Sequence, residues 1–439
     1  MSVGLQRLRD EPERLRQGAI DKGEDPAVVD RAIELDGRRR ALLAEGDALR
    51  RRRKELSGRI EQAVRSGADP RGPDVAELRR SSGEVGGWVD ALEGDLASVH
   101  AELDDLLLRI PNPADPDVPV GGEEANLVVR TWGEPLPHEA PGSDGGTWTR
   151  RPHWEVAERL GILDLPAGAR IAGSGFPLWR GPGAALQRAL IDFMLAVHTG
   201  QHGMTEIWPP ILVNTDSARG TGQIPDKEEL MYVVPRDGLY LAPTAEVPVT
   251  NIHRDEIVEA DRLPVRYAAY TPCFRREAGA AGKETRGILR VHQFDKVEMV
   301  FFERPADSAA ALETLTGFAE EILQRLGLAY RVLLMATREM GFVQARKYDL
   351  EVWAPGVERW LEVSSCSNFR DYQARRMNIR WRPEPGAKPE ILHTLNGSGV
   401  ALARTVAAIL ECYQQADGSL EVPEVLRPFL GIERIGAPA

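Results

Sequence analysis

The stretch "FRREAGAAGKETRGILRVHQFDKVEMV", residues 274–300, sets arginines on both sides of a Gly/Ala-rich centre that makes a poor helix. It reads as strand, loop, strand: TPCFRRE, then AGAAGKETRG, then ILRVHQFDKVEMVFF. Side chains alternate along a strand, so Phe294, Lys296 and Glu298 share one face, in a set that includes Arg290 and His292. The planar fork of Arg275 suits a phosphate or carboxylate, and Phe294 offers a flat apolar surface to a base. The same residues also fit an ordinary ion-pair network joining the arginines to Glu277, Glu284, Asp295 and Glu298.

Two later segments bear on the choice. "LEVSSCSNFRDYQARRMNIR" places Glu362 and Ser365 among small polar residues on an expected strand, where a carboxylate suits the magnesium that accompanies a nucleotide. "HTLNGSGVALARTVAAIL" puts Asn396, Gly397, Ser398 and Gly399 at the mouth of an expected helix, with Arg404 in its first turns as a second phosphate clamp. Small residues there admit a ligand closely. No GxGxxG or GxxxxGK[ST] loop occurs, which argues against a Rossmann or P-loop site.

With 439 residues and 42% apolar residues, the chain has the length of two or three globular domains. Its net charge of -12 speaks against non-specific nucleic-acid binding by the whole surface but not against a local basic patch. Cys273, Cys366 and Cys412 lie far apart, which predicts neither disulfides nor a zinc site and fits a reducing, cytosolic setting. No signal peptide and no membrane span are expected.

Toward the N-terminus the pattern changes. Leu78, Val85, Leu92, Val99 and Leu106 repeat by heptads, with Val89, Leu96, Leu103 and Ile110 as a companion seam, and Leu42, Leu49, Leu56 and Ala63 form a weaker one upstream. The turn-forming RSGADPRGPD between them predicts an antiparallel helical hairpin. Its first limb carries Arg38, Arg39, Arg40, Arg50, Arg51, Arg52, Arg53 and Lys54, which suits either a nucleic acid or a solvated face with nearby counter-charges. The linker PNPADPDVPVGGEE divides the chain into residues 1–110, 111–124 and 125–439. Beyond it, short β-rich runs (EIWPPILV, LYLAPTAEV, VEMVFF) alternate with amphipathic helices, which predicts an α+β domain on a mostly antiparallel β-sheet flanked by helices.

The chain resembles the class II aminoacyl-tRNA synthetases, and within them the bacterial-type seryl-tRNA synthetase family. Three class motifs occur in order: GAALQRALIDFMLAVHTGQHGMTEIWPPILV with Pro210, the stretch at 274–300, and GSGVALARTVAAILE. The blocks GTGQIP, PTAEVPVTN, RVHQFDKVEM, QARRMNIR and ECYQQADGSLEVPEVLRPFLG match as well. The resemblance implies a class II catalytic domain at 125–439 and an N-terminal tRNA-binding domain, with its antiparallel coiled-coil helical arm, at 1–110. It implies activation of L-serine by ATP to seryl-adenylate and transfer to the 3′ end of tRNA(Ser), with tRNA(Sec) as a further substrate, releasing AMP and pyrophosphate. It further implies Mg²⁺, no zinc, a cytoplasmic homodimer and tRNA bound across the two subunits, its long variable arm gripped by the hairpin.

The same resemblance assigns roles to residues. Arg275, Glu362 and Arg404 would be catalytic. Thr244, Ala245, Glu246, Arg275, Glu298, Asn396 and Ser398 would bind L-serine, with Glu298 as the residue that selects the hydroxyl. ATP would meet Arg275, Arg276, Glu277, Arg290, Val291, Phe294, Glu362, Val363, Ser364, Ser365 and Arg404, and Mg²⁺ would be held by Glu362 and Ser365. Arg276, the triplet Thr337-Arg338-Glu339 and Leu361 depart from the family's pattern. Two competing readings are a paralogue that charges a carrier other than tRNA, against which the retained arm argues, and a catalytically dead tRNA-binding scaffold, against which Arg275, Glu362 and Arg404 argue.

Overall fold

The structure, a computed structural model, describes residues 3–142, 145–277 and 286–436. The chain divides into two compact units, residues 1–111 and 112–439.

In the first unit, helices α1 (Leu5–Asp10) and α2 (Pro12–Asp21) precede two long helices, α3 (Ala27–Arg65) and α4 (Pro73–Arg109). At 1.5 Å per residue the 37 residues of α4 run roughly 56 Å. Arg31 meets Glu102 at 2.7 Å and Arg50 meets Glu93 at 3.1 Å, so partner numbers fall as α3 advances and the pair is antiparallel. The seam differs in detail from the heptad expectation. Leu78, Leu96 and Leu106 are half-buried, while Val75 and Leu107 are buried. A straight helix turns 3.6 residues per turn, so a heptad stripe drifts about 20° per repeat and neighbouring positions take over at the ends.

The basic limb is partly neutralised. Asp36, fully buried, takes Arg9 at 2.7 Å, Arg39 at 3.0 Å and Arg40 at 3.3 Å. Among the described residues, Arg51, Arg52 and Lys54 are exposed and have no carboxylate within ion-pair distance.

The second unit is built on an eight-stranded sheet. Its strands are β1 (Leu127–Trp132), β2 (Thr205–Ile207), β3 (Val265–Phe274), β4 (Gln293–Glu303), β5 (Tyr330–Leu334), β6 (Arg346–Ala354), β7 (Arg359–Asn368) and β8 (His393–Ala401). They lie in the order β1-β5-β6-β7-β8-β4-β3-β2, and every neighbouring pair is antiparallel except β2 with β3. Helices α5 (His153–Arg159), α6 (Pro182–Gly200), α7 (Ser308–Arg325) and α8 (Leu402–Tyr413) supply Val156, Leu186, Leu190, Phe193, Leu312, Leu315, Ile322, Val406 and Ile409 to one core with Val297, Met299, Phe301 and Leu350 of the sheet. This is the mostly antiparallel α+β architecture expected. No described helix is long and apolar enough to cross a membrane.

Several local expectations change. EIWPPILV is broken, with strand only at Thr205–Ile207 and Leu212–Asn214, because the two prolines between cannot donate to a ladder. Of LYLAPTAEV only Leu239–Leu241 is strand; Glu246 opens a short helix, Glu246–Thr250. The segment at 111–124 is bonded into the second unit from Asn112 onward. The Asn112 amide donates to the carbonyls of Val343 and Phe369, Asp115 pairs with Arg370, and Thr337 and Arg338 donate their backbone N–H groups to Pro119 and Gly121. Arg338, one of the departures from the family pattern, therefore anchors this segment together with Thr337. Leu361, another departure, is buried in the main core.

Candidate active site

Strand β3 ends at Phe274 and β4 begins at Gln293, so Arg290 and His292 precede the strand rather than lying on it. Most of the AGAAGKETRG loop, residues 278–285, lies outside the described residues, and so does Glu284 of the expected network. Across the pair Lys296 faces Thr271 and Phe294 faces Cys273. The alternation holds where β4 is regular: Phe294, Lys296 and Glu298 all line one cavity of about 560 Å³, the size of a small-molecule site. His292 instead stacks on Phe176 with ring centroids 5.3 Å apart.

The expected residues converge on this cavity from separate parts of the chain. Thr244, Glu246, Arg275, Glu277, Arg290, Val291, Phe294, Glu298, Glu362, Val363, Ser364, Ser365, Asn396, Ser398 and Arg404 all line it. Two expected residues do not. Ala245 is fully buried in a neighbouring apolar cluster. Arg276 turns away, its guanidinium donating to the Glu229 carbonyl at 3.1 Å and its backbone N–H to Leu230, so the unusual arginine ties down the 228–230 wall.

At one end of the cavity sits a buried polar cluster. Glu298 accepts from the Asn396 amide at 3.0 Å and the Ser398 hydroxyl at 3.2 Å, and lies 2.6 Å from the Lys296 ammonium. Glu246 accepts from the Gln373 amide at 2.7 Å. Burial, reinforced by the neighbouring Glu298 carboxylate, pushes the Glu246 carboxyl up to about 7.

The other end is lined by cations and one flat ring. The Arg275 guanidinium lies over Phe294, 5.1 Å from its centroid, and donates to the Pro243 carbonyl. Arg290 meets Glu277 at 3.3 Å, one pairing of the ion-pair network considered from sequence. Arg404 donates to the carbonyls of Leu289 at 3.0 Å and Glu362 at 2.9 Å.

Glu362 and Ser365 are three apart, which a regular strand would put on opposite faces. A β-bulge in β7, where Leu350 pairs with Ser364 and Glu351 with Glu362, inserts one residue and restores the common face. The Ser365 hydroxyl then donates to Glu362 at 3.1 Å. Burial alone would raise the Glu362 carboxyl, but Lys347 and Arg404 outweigh it and hold it below its ordinary value. An ionised carboxylate beside a hydroxyl gives two oxygen ligands, which suits Mg²⁺, an ion that keeps waters and phosphate oxygens for its remaining positions. Among the described residues, no cluster of three or more His, Cys, Asp or Glu side chains forms a metal cage.

The glycines of "NGSG" serve a different purpose from the one expected. Residues 396–399 are within β8 rather than at the helix mouth, and Asn396 and Ser398 take the cavity face. Gly397 and Gly399 face the helices behind the sheet. A Cβ on Gly397 would lie 2.2 Å from Leu315 of α7, and one on Gly399 would lie 2.6 Å from His198 of α6.

Sequence reasoning passed over three cavity residues with evident chemistry. Lys227, in the GTGQIPDKEEL segment, has its ammonium pushed down by burial. Lys347 is paired at 2.8 Å with buried Asp349 beneath the cavity, and Gln344 lies nearby on the wall. The alternation Lys347, Asp349, Glu351 on one strand was a readable signal for the second of these.

Comparison with known proteins identifies the family. The profile of the seryl-tRNA synthetase N-terminal domain matches residues 4–114, and that of the class II tRNA synthetase core domain (G, H, P, S and T) matches residues 232–413. A serine–tRNA ligase of Thermomicrobium roseum is 49% identical over 99% of this chain and 95% of its own length, and one of Geobacillus kaustophilus is 50% identical over 97% of each. The crystal structure of seryl-tRNA synthetase from Pyrococcus horikoshii complexed with ATP superposes with a TM-score of 0.92 at 35% identity, covering 99% of this chain and 100% of that one. With sequence agreement over nearly its whole length, a matching fold and both domain profiles in order, the chain belongs to the seryl-tRNA synthetase family of class II aminoacyl-tRNA ligases.

Proposed function

We propose that the chain is a cytoplasmic serine–tRNA ligase that joins L-serine to tRNA(Ser), and also to tRNA(Sec), by way of seryl-adenylate. The observation that carries this reading is the convergence of segments from Thr244 to Arg404 on a single cavity, cationic and aromatic at one end and built of buried carboxylates and amides at the other.

In this reading the serine ammonium meets Glu246 and Thr244, and its hydroxyl meets Glu298, whose Oε1 accepts, among the described residues, from the Asn396 amide. Arg275 binds the serine carboxylate and the α-phosphate together. Adenine stacks on Phe294 with Glu277 at its edge, while Arg290 and Arg404 hold the outer phosphates. Val291, Val363 and Ser364 complete the ATP wall. Glu362 and Ser365 would hold Mg²⁺, which when bound neutralises phosphate charge. The serine carboxylate attacks the α-phosphorus, pyrophosphate leaves, and Arg275 stabilises the charge that develops. A terminal ribose hydroxyl of tRNA then attacks the adenylate carbonyl and releases AMP.

Residues 1–110 form the tRNA-binding domain in this reading, and residues 125–439 the catalytic domain. Exposed Arg51, Arg52 and Lys54 supply phosphate contacts, which position an RNA without reading its bases. The functional form is a homodimer with tRNA bound across both subunits. Serine-dependent exchange of pyrophosphate into ATP, followed by aminoacylation of purified tRNA(Ser) with serine against threonine, alanine and cysteine, tests the proposal. Absence of serine-dependent exchange by folded protein would refute it.

A further inference from the structure

The segment that returns to the cavity after residue 285 begins at Arg286 and carries Leu289, Arg290 and Val291 onto the cavity wall. Its first residues pack on the dipeptide His153-Trp154 at the start of α5. Arg286 lies over the Trp154 ring, 4.7 Å from the centroid. Gly287 has φ +74, and a Cβ there would fall 2.3 Å from His153 Nε2, so the backbone presses against the imidazole edge. The Ile288 N–H donates to His153 Nε2 at 3.4 Å.

An imidazole that accepts at Nε2 carries its proton on Nδ1. That nitrogen lies 2.8 Å from Glu411 Oε1, which also accepts the His153 backbone N–H at 3.0 Å. The other oxygen of Glu411 accepts the N–H groups of Gly356 and Val357 at 2.8 and 3.1 Å. Both side chains of the pair are fully buried. A buried carboxylate is costly unless its lone pairs are met, and here four donors meet them.

Glu411 sits on α8 seven residues after Arg404, two turns along the same helix face. Arg404 holds the Leu289 carbonyl directly. One helix therefore grips consecutive residues of the returning segment, Leu289 through Arg404 and Ile288 through the His153–Glu411 pair. Neither member of that pair lines the cavity. We infer that His153, oriented by Glu411, is a positioning residue for the nucleotide: it fixes the backbone that presents Arg290 and Val291 to ATP. The inference rests on the reading of the cavity as an ATP and serine site.

The test is His153→Phe, which keeps a ring but loses the donor to Glu411 and the acceptor for Ile288. In pyrophosphate exchange, KM for ATP should rise about tenfold or more, since small displacements of positioning groups are costly, while KM for serine stays within about twofold. Hydrogen exchange of the Ile288 amide, measured without substrates, should quicken about tenfold while β3 and β4 amides keep their protection. A parallel change in both KM values, an unchanged KM for ATP, or unchanged Ile288 protection would overturn the inference. If His153→Phe does not fold, Gly287→Ala decides the matter, because it leaves the His153–Glu411 pair whole and pushes Ile288 off Nε2. An ATP-selective loss supports the role, and a parallel loss or none overturns it. Wild-type protein without serine-dependent exchange would refute the ATP and serine reading itself, and the Ile288 exchange measurement would still stand as a separate result.

Discussion

Glu298 holds its carboxylate 2.6 Å from the ammonium of Lys296, two residues earlier on the same strand and on the same face. Both side chains are buried, at 1% and 7% exposure, so each depends on the other for compensation. Glu298→Gln should lower kcat/KM for serine about a hundredfold, because the site then offers a poorer acceptor to the hydroxyl, while ATP binding measured alone is retained. It should also lower Tm by leaving Lys296 unpaired. Lys296→Met combined with Glu298→Gln should recover Tm but not serine use, a pattern that separates recognition from structural support. Equal loss of ATP and serine binding in the single variant would count against the assignment.

Glu246 links serine binding to pH. Its carboxyl is raised from 4.5 to about 7 by burial and by Glu298, against the opposing influence of Gln373, Lys296 and Lys227. A carboxyl raised in this way contributes stability that is full below about pH 4.5 and is lost as pH climbs through about 7. The serine ammonium favours the ionised form, so KM for serine should rise as pH falls below about 7. The gain in Tm on adding serine should be larger at alkaline than at mildly acid pH. A flat KM profile in wild type, or an unchanged profile in Glu246→Gln, would remove this linkage.

Ser365 donates to Glu362 at 3.1 Å across the bulge of β7. Ser365→Ala should weaken divalent-ion binding about tenfold and Glu362→Gln about a hundredfold, read by Mn²⁺ electron paramagnetic resonance in the presence of a non-hydrolysable ATP analogue. Equal Mn²⁺ affinity in wild type and Glu362→Gln would place the ion elsewhere.

Arg51, Arg52 and Lys54 are exposed side chains of the basic limb that, among the described residues, meet no carboxylate. Replacing all three by alanine should reduce the slope of log affinity for tRNA against log salt by about 2 to 3 units and leave serine-dependent pyrophosphate exchange unchanged. An unchanged salt slope would show that this part of α3 does not meet phosphate.

Most of the architecture and about half of the cavity wall were legible in the sequence, for reasons that differ by element. The hairpin was visible because heptads and a Gly/Pro/Asp break are local signals, although helix drift moved the seam from Leu106 to Leu107. Phe294, Lys296 and Glu298 were visible because β4 keeps strict alternation with β3. The resemblance to a known family, not the spacing, brought Thr244 and Glu246 into the same list.

What the sequence determined by itself was the set of chemical groups and the order of elements, since composition, periodicity and motif order belong to the chain and not to its folded form. Tertiary structure alone decided which of those groups face one another. A single bulge at Val363 turns Glu362 and Ser365 to a common face, and helices packed behind β8 explain the glycines at 397 and 399. Arg276 leaves the expected clamp because a carbonyl of the 228–230 wall lies within its reach. His153 and Glu411, 258 residues apart, are hydrogen-bonded only because α5 and α8 pack together. Register, bulges and long-range packing arise from contacts between distant segments, and no local pattern encodes them.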